Sequence, residues 1–157
     1  MRARLSLLVV LVAAAGILAS AGSGAPAGAA CRPTVGDGFG PFGRGLPPVR
    51  AKTGTGHVLT GVILSALDCK PLRGAQVQFW QANRKGIYTR ALSATVITNR
   101  AGQYRYESPR PPGYEGREGH IHLRVIAKGH ETLVSRFVPA TGARRSTLRL
   151  VLVPQSL

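Results

Sequence analysis

The chain has 157 residues, which suits one domain and leaves little room for a second. Its formal charge of +15, from 21 Lys and Arg against 6 Asp and Glu, raises nucleic acid as a partner first. The basic residues are scattered, though, and no helix-turn-helix pattern, zinc-finger spacing or single-strand-binding motif accompanies them. No nucleic acid is therefore expected, and the charge reads as a cationic surface that attracts anions such as carboxylated aromatics or cell-wall material.

The first thirty residues read as a leader. Arg2 and Arg4 give a basic start, Leu5 to Leu18 is an almost unbroken apolar run, and small residues follow through Ala30. That order marks a secretory signal peptide over residues 1–30, with cleavage near Ala21 or near Ala30. The sequence thus predicts a secreted, extracellular protein and leaves wall association open. The apolar run is shorter than the ~20 residues that cross a bilayer, so no stable membrane span is expected in the mature protein. Gly28 is a poor residue three positions ahead of Cys31 for a lipid anchor there. Loss of Arg2 and Arg4 with the leader takes the charge from +15 to +13. In an oxidising compartment Cys31 and Cys69 are expected to pair as one disulfide rather than to bind metal.

Residues 31–56, rich in Gly, Pro and Arg, show neither helical nor strand periodicity and read as an extended arm laid over the domain. From His57 to the end, residues 57–157, the texture is that of a β-rich domain. Strands are expected over His57 to Leu64, Ala75 to Gln81, Tyr104 to Glu107, His120 to Ala127, Thr132 to Val138 and Thr147 to Val153. In the second, Ala75, Val77 and Phe79 share one side. Turn signals separate the runs at Asp68-Cys69-Lys70-Pro71, Arg84-Lys85-Gly86, Asn99-Arg100-Ala101-Gly102 and Thr141-Gly142. Short strands with Gly and Pro punctuation, and no 3.6-residue period beyond the leader, predict an all-β sandwich.

The segment from Pro112 to Leu123 carries the chemistry. Side chains alternate along a strand, so Ile121, Leu123, Val125 and Ala127 take the buried face, while His120 and His122 share the other with Arg124. Two imidazoles on one strand face can point at a common ion, although a bare His-x-His is a weak signal. Carboxylates are sparse, with only Glu115 and Glu118 nearby, and the cysteines are expected in a bridge. Tyrosine remains as the further donor. A phenol with a pKa near ~10 ligates poorly unless a strong Lewis acid displaces its proton, which ferric iron can do. Tyr104 and Tyr106 fall on a strand, where packing is the better reading. Tyr88 and Tyr114 are read as loop residues, after Gly86 and Gly113, where a side chain can be aimed into a cleft. His57 and His130 lie outside this motif and are expected to face solvent.

These motifs, in order, resemble the intradiol ring-cleavage dioxygenases, which include the protocatechuate and catechol dioxygenases. The resemblance rests on Gly74 to Asn83 followed by Gly86-Ile87-Tyr88, on Gly102-Gln103-Tyr104 and Pro112-Gly113-Tyr114, and on Arg117 with His120-Ile121-His122. Gly40-Pro41-Phe42 and the Asp68 to Leu72 turn fit the same family's entry region, so the likeness runs from about Cys31 to Val138. It implies a β-sandwich of mixed, mostly antiparallel strands and a non-heme Fe(III) held by Tyr88, Tyr114, His120 and His122. By position, Tyr114 matches the ligand that substrate displaces, and Arg117 matches the arginine that steadies bound substrate and the charge of its reacting form. Trp80 and Gln81 match structural positions. The implied reaction uses dioxygen to open a catechol or a hydroxylated aromatic acid to a muconate-type dicarboxylic acid.

Several positions depart from the family pattern. Asn99-Arg100-Ala101-Gly102 lacks the acidic residue often found before that glycine. Arg136 stands where glutamine is common, and Val138 where an aromatic is common. Arg136 either adds positive charge to the cleft, favouring carboxylated or more acidic diols, or faces solvent. The long helical N-terminal region of catechol-type dimers is absent. A secreted β-sandwich binding module without turnover is the alternative reading. The diol itself, and whether the chain forms a homo-oligomer, stay open.

Overall fold

The computed structural model describes residues 32–38, 40 and 46–156. The expected leader over residues 1–30, together with Cys31, lies outside the described residues. Seven strands follow one another: β1 (His57–Ser65), β2 (Gln76–Ala82), β3 (Tyr88–Ile97), β4 (Gln103–Ser108), β5 (Ile121–Ile126), β6 (Leu133–Phe137) and β7 (Arg145–Leu152). They form a three-stranded sheet in the order β4-β1-β7 and a four-stranded sheet in the order β3-β2-β5-β6. The pairing of β1 with β7 is parallel and the other four are antiparallel. The fold is therefore the all-β sandwich expected.

The period-2 pattern decides which side chains meet between the sheets. Leu59 and Ile63 of β1, Val77 and Phe79 of β2, and Ile121, Leu123 and Val125 of β5 are fully or almost fully buried. Tyr104 and Tyr106 close the core from β4, and Phe79 stacks on Tyr106 with ring centroids 4.3 Å apart. At Gly61 an added Cβ would lie 1.9 Å from the Leu148 carbonyl oxygen and 2.7 Å from the Tyr104 hydroxyl. Only glycine lets β1 sit that close to its neighbours.

Two expectations need correction. Tyr88 does not lie in a loop: it opens β3, a ten-residue strand absent from the expected set. The Tyr88–Ile97 run is dominated by Thr, Arg, Ala and Ser, so it shows no apolar alternation to read. Its polar residues are buried because the arm covers them. Thr95 donates from its backbone to Pro48 O and from its hydroxyl to Pro47 O, both at 2.8 Å, and its own carbonyl accepts from Arg50 N at 3.0 Å. The arm also reaches the opposite edge of the same sheet, where Asp37 N donates to Val134 O of β6 at 3.1 Å. Each edge strand of this sheet thus has backbone groups paired with the arm, which leaves less of either edge open to other chains.

The second correction concerns the spare histidines. His57 is 1% exposed, with Nε2 3.0 Å from Ser146 Oγ and its ring stacked on Phe137. His130 is half-buried, with Nε2 2.9 Å from Ser65 Oγ and Nδ1 3.0 Å from Lys128 O. As the first residue of β1, His57 falls in phase with the inward Leu59 and Ile63, and strand register outweighs its polarity. Cys69 is disulfide-bonded.

Candidate metal centre

The centre lies on the outer face of the four-stranded sheet. Because Ile121 and Leu123 face the core, His122 must face outward, and His120 precedes the strand in phase with it. Cross-strand register sets Trp80 of β2 on one side of His122 and Arg136 of β6 on the other. Arg124, one pair further along, is drawn off the centre. Its Nε donates to Gln78 Oε1 at 2.7 Å and its guanidinium lies 5.3 Å from the Trp80 ring.

Tyr88 arrives from β3 at a register shift in β2 between Trp80 and Ala82, an irregularity of the kind that re-aims side chains near sites. The turn before it is held by Asn83, whose Oδ1 accepts from Lys85 N at 2.9 Å and Ile87 N at 3.1 Å. Gly86 in that turn has φ +74°, and a Cβ there would meet the Tyr114 ring at 2.9 Å.

Tyr114 and Arg117 are the two ends of a tight hairpin. Tyr114 N donates to Arg117 O at 3.2 Å and Arg117 N donates back to Tyr114 O at 2.9 Å. Between them Glu115 and Gly116 have φ of 49° and 74°, the paired left-handed conformations of a two-residue hairpin turn. Glycine suits that geometry, whereas a glutamate there is strained. Facing residues of such a bridge project to one side, and the Arg117 guanidinium lies 5.9 Å from the centre of the Tyr114 ring.

Four donor atoms converge. Tyr88 Oη is 2.8 Å from Tyr114 Oη, 3.3 Å from His120 Nε2 and 3.1 Å from His122 Nε2, and the two Nε2 atoms are 3.1 Å apart. Donors about 2.0–2.1 Å from a shared tetrahedral ion stand about 3.3 Å from one another, so the cluster has the dimensions of a coordination shell. The histidines are only 5% and 6% exposed. His120 Nδ1 is 2.7 Å from Glu118 O, an atom that can only accept. The ring proton therefore sits on Nδ1, and Nε2 directs a lone pair into the cluster, the usual way a backbone carbonyl prepares a ligating imidazole. Among the described residues no group of three or more His, Cys, Asp and Glu gathers at one point; this set reaches four donors through its phenols. Burial, then the hydrogen bond with Tyr114, raises the Tyr88 pKa well above its usual value, with Arg117 pulling the other way. Without a cation Tyr88 stays a neutral phenol, so the set fits a hard, highly charged ion able to displace that proton.

The donors line a cleft of about 690 Å³ together with Arg117, Arg136, Glu115 and Gly40 of the arm. All five residues singled out for metal binding or catalysis thus meet in one place. Arg136 lies in the cleft and not simply in solvent. The roles of Glu115 and Gly40 as cleft walls carry no sequence signal beyond adjacency to the motif. A second cavity of about 570 Å³, walled by Thr60, Val62, Ile97 and Tyr104 among others, contains none of these donors.

A family model described as Dioxygenase_C, dioxygenase, matches residues 47–140, more than half of the chain and the whole span from Tyr88 to Arg136. The catechol 1,2-dioxygenase of Acinetobacter baylyi is 34% identical over 111 residues, covering 52% of this chain and 35% of its own length. That of Candida albicans is 32% identical over 98 residues, covering 45% of this chain and 32% of its own. The chain thus spans about a third of the length of these curated relatives. Among solved structures, the dioxygenase domain of a dioxygenase carbohydrate-binding protein fusion from Streptomyces sp. SirexAA-E aligns with a TM-score of 0.68 at 24% identity, over 79% of this chain and 100% of that one. An intradiol ring-cleavage dioxygenase from Tetranychus urticae aligns at 0.66 and 20% identity, over 80% and 95% of the two chains. At those identities the structural likeness establishes a shared fold.

Proposed function

The chain belongs to the intradiol ring-cleavage dioxygenase family, and on that premise we propose that it holds one non-heme Fe(III) through Tyr88, Tyr114, His120 and His122 and uses dioxygen to open catechol-type diols to muconate-type dicarboxylic acids. The observation that carries this reading is the convergence of two phenol oxygens and two imidazole nitrogens within 3.3 Å of Tyr88 Oη or of each other. Ferric iron, when bound, supplies the Lewis acidity that keeps phenols and a chelating diol deprotonated and draws electron density from the ring.

The protein's own groups divide the remaining work. His120, just ahead of β5, and His122, within it, are held by the sheet and serve as fixed donors. Tyr88 is anchored at the start of β3. Tyr114 rides on a two-residue hairpin instead of a strand, which suits it to give way to an incoming diol and take up one of its protons. Arg117, on the same hairpin, places a permanent positive charge beside the reacting ring, where negative charge builds as the ring opens. Both atoms of dioxygen end in the product, one in each new carboxyl group.

Export fits the same reading. The basic, apolar and small-residue order of residues 1–30 is that of a cleaved leader, and a disulfide at Cys69 suits an oxidising compartment. Cys31, the chain's other cysteine, is the partner this reading assigns to Cys69.

The test is a visible spectrum of the folded, iron-loaded protein in air, then with catechol added without oxygen. A wine-red phenolate-to-iron band that shifts with catechol is expected. A colourless protein that takes up no iron would overturn the proposal.

A further inference from the structure

Arg136 is a cationic cleft residue to which the proposed reaction gives no role. It sits on β6 directly across from His122 of β5, so the two side chains leave the sheet on the same side, with Cβ atoms about 5 Å apart. Its side chain is 45% exposed and lines the cleft that the four donors share. It is also held. Its Nε is 3.3 Å from Asp37 Oδ2, and Asp37 is pinned by its own N–H to Val134 O, on the strand that carries Arg136. A guanidinium gripped at Nε still has both Nη groups to offer. Among the described residues Arg136 makes no other ion pair or hydrogen bond.

Among the described residues that line the cleft, two guanidinium groups, from Arg117 and Arg136, thus stand against one carboxylate, Glu115. Arg117 is tied to the Tyr114 hairpin and serves the reacting end. The pair between Arg136 and Asp37 is half-exposed, so its net strength is small and an added anion can share the guanidinium without first breaking a strong bond. A planar fork with free Nη groups matches a carboxylate better than any neutral substituent. The cleft volume of about 690 Å³ admits a substituted ring.

We propose that Arg136, oriented by Asp37 of the arm, is the substrate-selecting residue of the cleft, and that it recognises a carboxylate carried by the ring outside the diol. This rests on the diol-cleavage reading above and deepens it: the favoured substrates are dihydroxylated aromatic acids, with plain catechol as a weaker ligand. Removing one partner of a charge-assisted hydrogen bond costs roughly ten- to a hundredfold in affinity, and partial exposure places Arg136 near the lower end.

The experiment is calorimetric titration of the iron-loaded protein, without oxygen, with 3,4-dihydroxybenzoate and with catechol. It is run on the wild type, Arg136→Gln and Arg136→Lys, with a melting curve for each to confirm folding. The wild type should bind the carboxylated diol roughly tenfold or more tightly than catechol. The ratio of the two Kd values should fall toward one in Arg136→Gln and recover in part in Arg136→Lys, which keeps the charge but loses the fork. Equal affinities in the wild type, or a ratio that survives Arg136→Gln, would overturn the assignment. So would an equal loss for both diols, which would place Arg136 at the diol end. If the wild type binds catechol but ignores the carboxylate, only this inference falls. If it retains no iron and binds neither diol, the diol-cleavage reading falls and takes this one with it.

Discussion

His120 is the residue whose ring tautomer the backbone decides. The Glu118 carbonyl 2.7 Å from Nδ1 accepts a hydrogen bond from the ring N–H, and the Nε2 lone pair is left facing Tyr88 and His122. A metal ligand prepared in this way differs from a residue that only stabilises charge, and the difference can be measured. His120→Ala and His122→Ala should each cost iron itself, beyond the roughly 10–100-fold that losing an outer partner of a ligand costs. Arg117→Ala should keep its iron while kcat falls roughly 10²–10³-fold, the usual consequence of removing one preorganised charge-stabilising group. Iron content by elemental analysis, set beside turnover of a diol, separates the two. Normal turnover by Arg117→Ala would reject its role. These residues are legible in the sequence because Tyr114 to His122 lie within a few positions of one another. Arg136 is legible only through the family resemblance, which left it either in the cleft or in solvent; the antiparallel register of β5 and β6, which periodicity does not disclose, brings it to the cleft.

At the scale of the strands, legibility follows composition. Six of the seven are readable because they alternate apolar and polar residues or begin and end on Gly and Pro. β3 is not, since Ser93 and Thr95 are buried by hydrogen bonds to the arm and by no hydrophobicity of their own. Tyr88 then looks like a loop residue although it heads a strand. The same limit hides what Gly61 does, because a glycine inside a β-rich run reads only as a weak spot. In the structure it permits β1 to lie between β4 and β7, and its missing Cβ is what clears the Leu148 carbonyl and the Tyr104 ring. Neither neighbour can step aside freely: one is backbone, and the Tyr104 hydroxyl donates to that same carbonyl at 2.8 Å. Gly61→Ala should therefore destabilise the fold by about 1–3 kcal/mol or more, as overpacking of a filled core does. Urea unfolding should show a lower midpoint with an unchanged slope. A midpoint equal to the wild type would mean that β1 and β7 can separate without cost.

The molecule as a whole carries a large excess of positive charge, and among the described residues three of its six Asp and Glu carboxylates are engaged in ion pairs. Asp68 pairs with Lys70, Glu107 with Lys52 and Arg105, and Asp37 with Arg136. The hydrogen bonds from Lys70 to Asp68, and from Lys52 and Arg105 to Glu107, hold both carboxyls below their usual range, so these pairs weaken only in strong acid. His57 acts earlier. Burial first, and Arg110 second, lower its pKa below the ordinary imidazole value of 6.5. Arg110 cannot move away easily, since it donates to the Ala143 and Ala140 carbonyls at 2.7 and 2.9 Å. The unfolded chain, with His57 at its ordinary pKa, takes up a proton as pH falls through 6.5, while the folded chain does not. The contribution is complete above 6.5 and is lost as pH drops toward the folded pKa. Wild-type stability should accordingly decline between about pH 7 and pH 5, ahead of the Asp68 and Glu107 carboxyls. His57→Gln keeps a polar group that can reach Ser146 and removes the titration. It should be less stable than the wild type at pH 7.5 yet change less across that window. Melting temperatures at half-unit pH steps decide the matter: parallel profiles for the two proteins would show that His57 is not the group whose protonation opens the sandwich.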